Sequence, residues 1–380
     1  MPLPPIIQML LGLCVAFYAI VILGLVVGLR RLIVPGTTAQ PFVSVVVAAR
    51  NEERNIGKLL DCLTRQDYSQ FEIIIVNDRS TDGTAAIIEQ FQNVHRNLRR
   101  IDILSADPKM PSKKNALAKG IAESRGEILC FTDADCLPPP RWIADLVAMF
   151  DDRTGLVAGY SPYRARPDHC SKTSLLSRLL MNFTEYEEFK GAIWAAGAIG
   201  WHLGWLCTGR SLAYRRRVYE EVGGFEKIKQ SVSGDDDLFL QLVRHETAWN
   251  VRYATAPTSF VPTFPPENMR EFVQQRVRHF SAGKFFRLPM KAFFLCFHTA
   301  NTLIVLSFVL SAIFQPSHVY IWPYVLKFLI DALLFFSSAR VFGQAKFSVA
   351  FPVYELLYVA YNSAIGPLGF TKTVEWKSGR

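Results

Sequence analysis

Cysteine chemistry is scarce in this chain. Its seven cysteines (Cys14, Cys62, Cys130, Cys136, Cys170, Cys207 and Cys296) form no Cys-x-x-Cys pair and have no histidine at zinc-ligand spacing, which argues against structural zinc. Internal repeats and low-complexity segments are also absent, so neither a solenoid nor a disordered tract is expected. Charged residues make up only 20% of the chain, against 50% hydrophobic residues, a balance unusual for a purely soluble enzyme. The net charge of +9 does not signal nucleic acid. The basic residues are dispersed, many of them beside apolar stretches where they would face anionic lipid, and no nucleic-acid-binding module is present.

The apolar excess is localised. Residues 3–29 contain no Asp, Glu, Lys or Arg. That is enough helix for a hydrocarbon core, which needs about 20 residues. A signal peptide is the weaker reading, because no basic residue precedes the run and Arg30-Arg31 follows it directly. Paired arginines after a span mark a cytoplasmic flank, so residues 1–30 are expected to cross the plasma membrane with the N-terminus outside. No disulfide is expected in the cytoplasmic domain that follows. Three further apolar stretches, 292–314, 319–338 and 347–370, form a C-terminal membrane region over 290–371. The second carries Lys327 and Asp331, four apart and able to pair on one helix face. The third contains Pro352, Glu355, Asn362 and Pro367 and reads as a kinked span, a re-entrant hairpin or an interfacial helix. Lys372, Lys377 and Arg380 argue for a cytoplasmic tail, so one segment is expected not to cross fully.

Between these regions, 36–285 alternates buried-strand and helix patterns. Strands are predicted at 42–49, 72–76 and 127–132, and helices at 85–91, 113–124 and 267–282. Such alternation implies an α/β sheet with crossover helices. Ligands then bind beyond the carboxyl ends of the strands. The polar clusters Arg50-Asn51-Glu52, Asn77-Asp78 and Asp133-Ala134-Asp135 stand at those ends and should converge on one crevice.

Asp133 and Asp135, two apart on a strand exit, can share a hard cation such as Mg²⁺ or Mn²⁺ and a sugar hydroxyl. Such a cation offsets charge on a departing nucleoside diphosphate. Asp78 is placed to accept hydrogen bonds from a base or ribose, while Thr81, Asp82 and Thr84 are explained by helix capping. Asp235-Asp236-Asp237 precede a helical pattern, and one of the three is expected to act as its cap. Three adjacent carboxylates exceed what a cap needs, and one with a raised pKa suits proton removal from a hydroxyl. Gln275, Arg278 and His279 share one helix face, where a guanidinium can meet phosphate. Trp194, Trp201 and Trp205 fit either a lipid or glycan entrance or a buried structural role.

Together these motifs resemble the family 2 glycosyltransferases, over roughly 42–284. The terminal spans are similar to the membrane-bound branch with ceramide glucosyltransferase-like and cellulose or hyaluronan synthase-like enzymes. The resemblance implies a GT-A fold. It implies Ala49, Arg50 and Glu52 in the first donor-binding turn, Asp78 at the uracil, Lys113 near the diphosphate, and Asp133-Ala134-Asp135 as the DxD motif with Asp135 on the metal. Gly209 to Tyr214, with Gly223-Gly224-Phe225, resembles the acceptor-side strand and turn. Asp237-Leu238 anchors a register that puts the catalytic base at Asp235, with Asp236 the alternative. Gln275 and Arg278 match the QxxRW motif, in which His279 replaces the Trp of the acceptor platform. The implied activity is inverting transfer from a nucleotide sugar, of the uridine type, to a lipid or glycan acceptor at the cytoplasmic membrane face. A processive polysaccharide synthase and a non-catalytic nucleotide-binding scaffold are the competing readings.

Overall fold

A computed structural model of the chain describes residues 5–32, 36–37, 39–165, 175–314 and 318–371. The valine-rich run after the linker forms β1 (Val43–Ala49), buried at every position as a strand covered on both faces must be. Parallel to it lie β2 (Phe71–Asp78) on one side and β4 (Ile128–Phe131) on the other. Beyond β2 is the parallel strand β3 (Leu98–Ile103). Past β4 come β6 (Leu212–Arg215), β5 (Thr154–Gly159) and β7 (Asn250–Ala254), giving the order β3-β2-β1-β4-β6-β5-β7. Because β6 runs antiparallel to both β4 and β5, the sheet is mixed.

Alternate residues of β1 serve opposite cores, following the period of two in a strand. Val45 and Val47 pack on one side with Leu59 and Leu60 of α2 (Ile56–Leu63), Ile88 of α3 (Thr84–Val94) and Trp142 of α5 (Trp142–Val147). Val46 and Ala48 face Ala116 and Leu117 of α4 (Ser112–Glu123). This second core continues without a break into Tyr18, Ile22 and Leu25 of α1 (Pro5–Arg30) and Phe189, Ile193 and Trp194 of α6 (Leu175–Ile199). The sheet and the apolar N-terminal helix therefore share one hydrophobic interior. Gly28 permits this. A Cβ there would run into the backbone oxygen of Gly197, so α1 and α6 meet backbone to backbone.

The remaining helices are α7 (Arg216–Glu221), α8 (Asp237–Glu246), α9 (Met269–Ser281), α10 (Leu288–Phe314), α11 (His318–Ala339) and α12 (Phe351–Thr371). Among the described residues, three helical stretches are long and apolar enough to cross a membrane: 5–30, 288–310 and 321–339. The third predicted C-terminal segment became α12, a helix that is not among these three and lies against α9. Its Glu355 is buried in an ion pair with Lys190 (2.7 Å). Lys327 and Asp331 pair as their spacing predicts, and the Tyr18 hydroxyl donates to Asp331 (2.5 Å), tying α1 to α11. The basic tail residues Lys372, Lys377 and Arg380 lie outside the described residues, as does Cys170. Among the described residues the six other cysteines are free thiols.

Candidate active site

The carboxyl ends of β1, β2 and β4 bring their polar clusters to one edge of the sheet. A cavity of about 270 Å³ opens there. Of the residues assigned to the base, the donor or the metal, Glu52, Lys113, Asp133, Asp135, Asp235, Asp236, Gln275 and Arg278 line it. Ala49, Arg50 and Asp78 do not. Ala49 is buried in the sheet. Asp78 is buried too, and its carboxylate accepts two bonds from the Arg79 guanidinium (2.7 and 3.0 Å), which also donates to the Ser112 hydroxyl (2.8 Å). Arg79 adopts the left-handed conformation (φ +53°) as it makes this arrangement.

The first turn of α4 aims Lys113 into the cavity. Its ammonium lies 3.0 Å from Asp133 Oδ1 and 2.9 Å from Asp235 Oδ2, bridging the strand exit and the loop before α8. Burial alone would lower the Lys113 pKa, but Asp133, Asp235 and Asp236 outweigh it and raise the pKa, keeping the ammonium charged. Burial works against the Asp133 charge as well, and Lys113, with Arg210 and Arg278, holds that carboxyl below its ordinary value.

The three consecutive aspartates have different work. Asp236 is the N-cap of α8, accepting from the Asp237 amide (2.8 Å) and from the Gly209 amide (2.9 Å). Asp237 accepts from the Cys207 amide (2.7 Å). Burial and the neighbouring carboxylates raise the pKa of both. Asp235 is the member paired with a side-chain cation, and only 8% of its side chain is exposed.

On the opposite wall, α9 presents Gln275, Arg276, Arg278 and His279, and α6 presents Glu187 and Glu188. Arg276 pairs with Glu187 (2.5 Å) and Arg210 with Glu188. Neither glutamate was singled out in the sequence. Three acids, Glu185, Glu187 and Glu188, in a largely apolar stretch, with Arg210 and Arg276 elsewhere in the chain, were the signal available. His279 lines the cavity, and burial together with Arg276, Arg278, Arg210 and Lys113 pushes its pKa well below the usual imidazole value, so it is neutral.

The tryptophans join this wall to the apolar helices. Trp194 meets Phe297 of α10 edge-on (4.7 Å between centroids), and Trp205 stacks on Phe293 (5.1 Å). Trp201 donates to the Gly24 carbonyl of α1 (2.7 Å) beneath the Arg31 guanidinium.

Residues 44–223 match the family model described as glycosyl transferase family 2. The chain is 29% identical over 244 residues to the probable glycosyltransferase YdaM of Bacillus subtilis, a match covering 63% of this chain and 54% of that protein. It is 33% identical over 120 residues to a beta-monoglucosyldiacylglycerol synthase of Synechocystis sp., covering 31% of this chain and 25% of the relative. The chain thus spans about half the length of these curated relatives or less. Among solved structures, the mannosyltransferase PcManGT from Pyrobaculum calidifontis, in complex with GDP-Man and Mn²⁺, superposes with a TM-score of 0.53 at 19% identity, covering 93% of this chain and 99% of that one. That likeness is one of fold, and the fold is GT-A. Residues 44–223 thus carry a family 2 glycosyltransferase domain, within a chain of GT-A fold.

Proposed function

We propose that the protein moves a sugar from a nucleotide-diphosphate donor, of the uridine type, to a hydroxyl of a lipid or lipid-linked acceptor at the cytoplasmic face of the plasma membrane, with inversion at the anomeric carbon. The observation that carries the reading is the Lys113 bridge, which puts a donor-side carboxylate and a loop carboxylate on one ammonium inside one cavity.

A donor diphosphate entering this cavity meets Lys113 and Arg278 as its cations. As the diphosphate draws Lys113, Asp235 loses its counter-charge and becomes able to accept a proton from the acceptor hydroxyl. Asp236 is unsuited to that step, since its oxygens are spent on the backbone amides of Asp237 and Gly209. Asp78, held by Arg79 at the carboxyl end of β2, is the contact assigned to the base in this reading. Ala49, Arg50 and Glu52 form the turn beside it, and Gln275 supports the far wall.

The site also fits a divalent cation. Asp133 is engaged by Lys113, Asp135 lines the cavity, and no group of three His, Cys, Asp or Glu residues gathers into a cage among the described residues. One carboxylate completed by phosphate oxygens and water is how Mg²⁺ is commonly held. Asp135 would be that carboxylate, and the bound Mg²⁺ or Mn²⁺ would neutralise charge on the leaving diphosphate.

A lipid acceptor is supported by the cavity wall of Ala192, Ala195 and Leu206, which adjoins the Trp194 and Trp205 contacts with α10. It is also supported by the relative named for glucosyldiacylglycerol synthesis. The test is a donor screen on the detergent-purified protein, measuring nucleoside diphosphate release with and without Mn²⁺ and candidate lipids. Lipid-stimulated, metal-dependent release is expected. Absence of release with every donor would refute the reading.

A further inference from the structure

Lys113 has a neighbour that the transfer step leaves unused. Lys114, the next residue of α4, is wholly buried, with 0% exposure. Consecutive helical residues diverge by about 100°, so while Lys113 reaches into the cavity, Lys114 turns towards the chain that leads to α8. Its ammonium donates to the carbonyl of Ser231 (2.5 Å) and to that of Ser233 (2.7 Å). These carbonyls flank Val232, which lines the cavity. One residue later the chain turns at Gly234 with φ +84°, where a Cβ would sit 2.6 Å from Leu238 Cγ. Asp235 follows that turn, with its Oδ2 2.9 Å from Lys113. Adjacent lysines of one helix thus hold the same acidic loop, one through its backbone and the other through its carboxylate.

A buried ammonium is costly unless its protons find acceptors. Burial lowers the Lys114 pKa to about 8, against the opposing pull of Asp235 and Asp236 and with help from Lys113. A lysine kept there merely to fill space would be better replaced by an apolar side chain. The two carbonyl bonds are what it supplies.

We propose that Lys114 is a positioning residue, which fixes the Ser231–Ser233 backbone and so sets where Asp235 stands, without contact with the donor. The proposal rests on the reading of Asp235 as the base. Misplacement of a reacting group by about 1 Å can cost about 10²-fold in rate.

The test compares the full-length protein with Lys114→Met, which removes donors and charge, and Lys114→Gln, which keeps amide donors. In Lys114→Met, kcat should fall about 10- to 100-fold while the donor KM stays within about twofold. Lys114→Gln should give an intermediate kcat, and it carries the comparison with the wild type if the methionine variant does not fold. Hydrogen exchange should quicken at the amides of Asp235, Asp236 and Asp237 and stay unchanged in β1 and β2. An unchanged kcat, a donor KM raised by as much as kcat falls, or unaltered exchange in the loop would each overturn the proposal. If the wild type transfers no sugar, the functional reading fails by itself, and the exchange measurement still decides whether Lys114 holds the loop.

Discussion

Lys113 Nζ stands 2.9 Å from Asp235 Oδ2, so the helix that follows the donor-side loop is ionically tied to the loop that precedes α8. Both side chains are largely buried where they line the cavity, and Lys113 balances Asp133 as well as Asp235. A bound diphosphate would compete for the same ammonium. Under the proposed function, Lys113 would be the residue through which donor binding reaches Asp235.

Lys113→Met should therefore weaken donor binding and catalysis together. A hydrogen bond to a charged group contributes about 1.5–3 kcal/mol, which corresponds to roughly 10- to 100-fold in kcat/KM. Steady-state kinetics over donor concentration would show it. Wild-type kcat/KM in this variant would remove Lys113 from the donor site.

The base is tested by Asp235→Asn and Asp236→Asn side by side. Loss of a general base typically costs about 10²- to 10⁴-fold in rate. That loss is expected in Asp235→Asn, with donor affinity little changed. Asp236→Asn keeps one oxygen to accept from Gly209 or Asp237, so its defect should appear mainly as lowered stability. The reverse pattern would shift the register by one residue. If both variants transfer normally, the base lies elsewhere.

For the metal, Asp135→Ala should lose turnover and most metal-dependent donor binding, because a cation bridging carboxylate and diphosphate disappears with the carboxylate. Titration calorimetry of the donor with and without Mn²⁺ reads this directly. Full activity in the variant, or in excess chelator, would remove the cation from the mechanism.

The parts of the fold legible in the sequence were those whose burial is uniform. β1, β2 and β4 read as continuous apolar runs because helices cover both faces. The exits of β1 and β4 carried Glu52, Asp133 and Asp135, which line the cavity, whereas the exit of β2 does not reach it. β3 was not predicted: Leu98–Ile103 holds Arg99, Arg100 and Asp102, tolerated because the strand is at the sheet edge. Nor was α6, where Ala192, Ile193, Trp194, Ala195 and Ala196 are buried in succession and so surround the helix rather than form one stripe. The same packing hid Glu187 and Glu188, since their direction is set by contacts made far away in the chain. Asp78 read as a strand-end acid placed to accept from a base or ribose, but its own neighbour Arg79 folds back onto it.

Stability should carry a pH signature from Glu72. Its side chain is 3% exposed and is ringed by four donors: the Ser44 hydroxyl (2.7 Å), the Arg125 amide (2.7 Å), and the guanidiniums of Arg125 (3.3 Å) and Arg99 (3.4 Å). Burial alone would raise its pKa, but these donors together overcome it and hold the carboxyl below its ordinary value of 4.5. A depressed folded-state pKa means that the folded protein holds the proton less tightly than the unfolded chain. The stabilisation is then fully present above the unfolded value and is lost as pH falls through the folded one. Glu72→Gln removes the charge, leaves one oxygen to accept from Ser44 and the Arg125 amide as before, and turns an amide NH₂ towards the two guanidiniums that Oε2 accepts from, so it should cost about 1.5–3 kcal/mol at pH 7. That difference should shrink below about pH 4.5 as the wild-type carboxyl takes up its proton. Thermal unfolding midpoints of wild type and variant, measured in the same detergent from pH 7 down to pH 3, would follow it. A gap that stays constant over that range would mean that Glu72 stabilises the sheet by its shape and not by its charge.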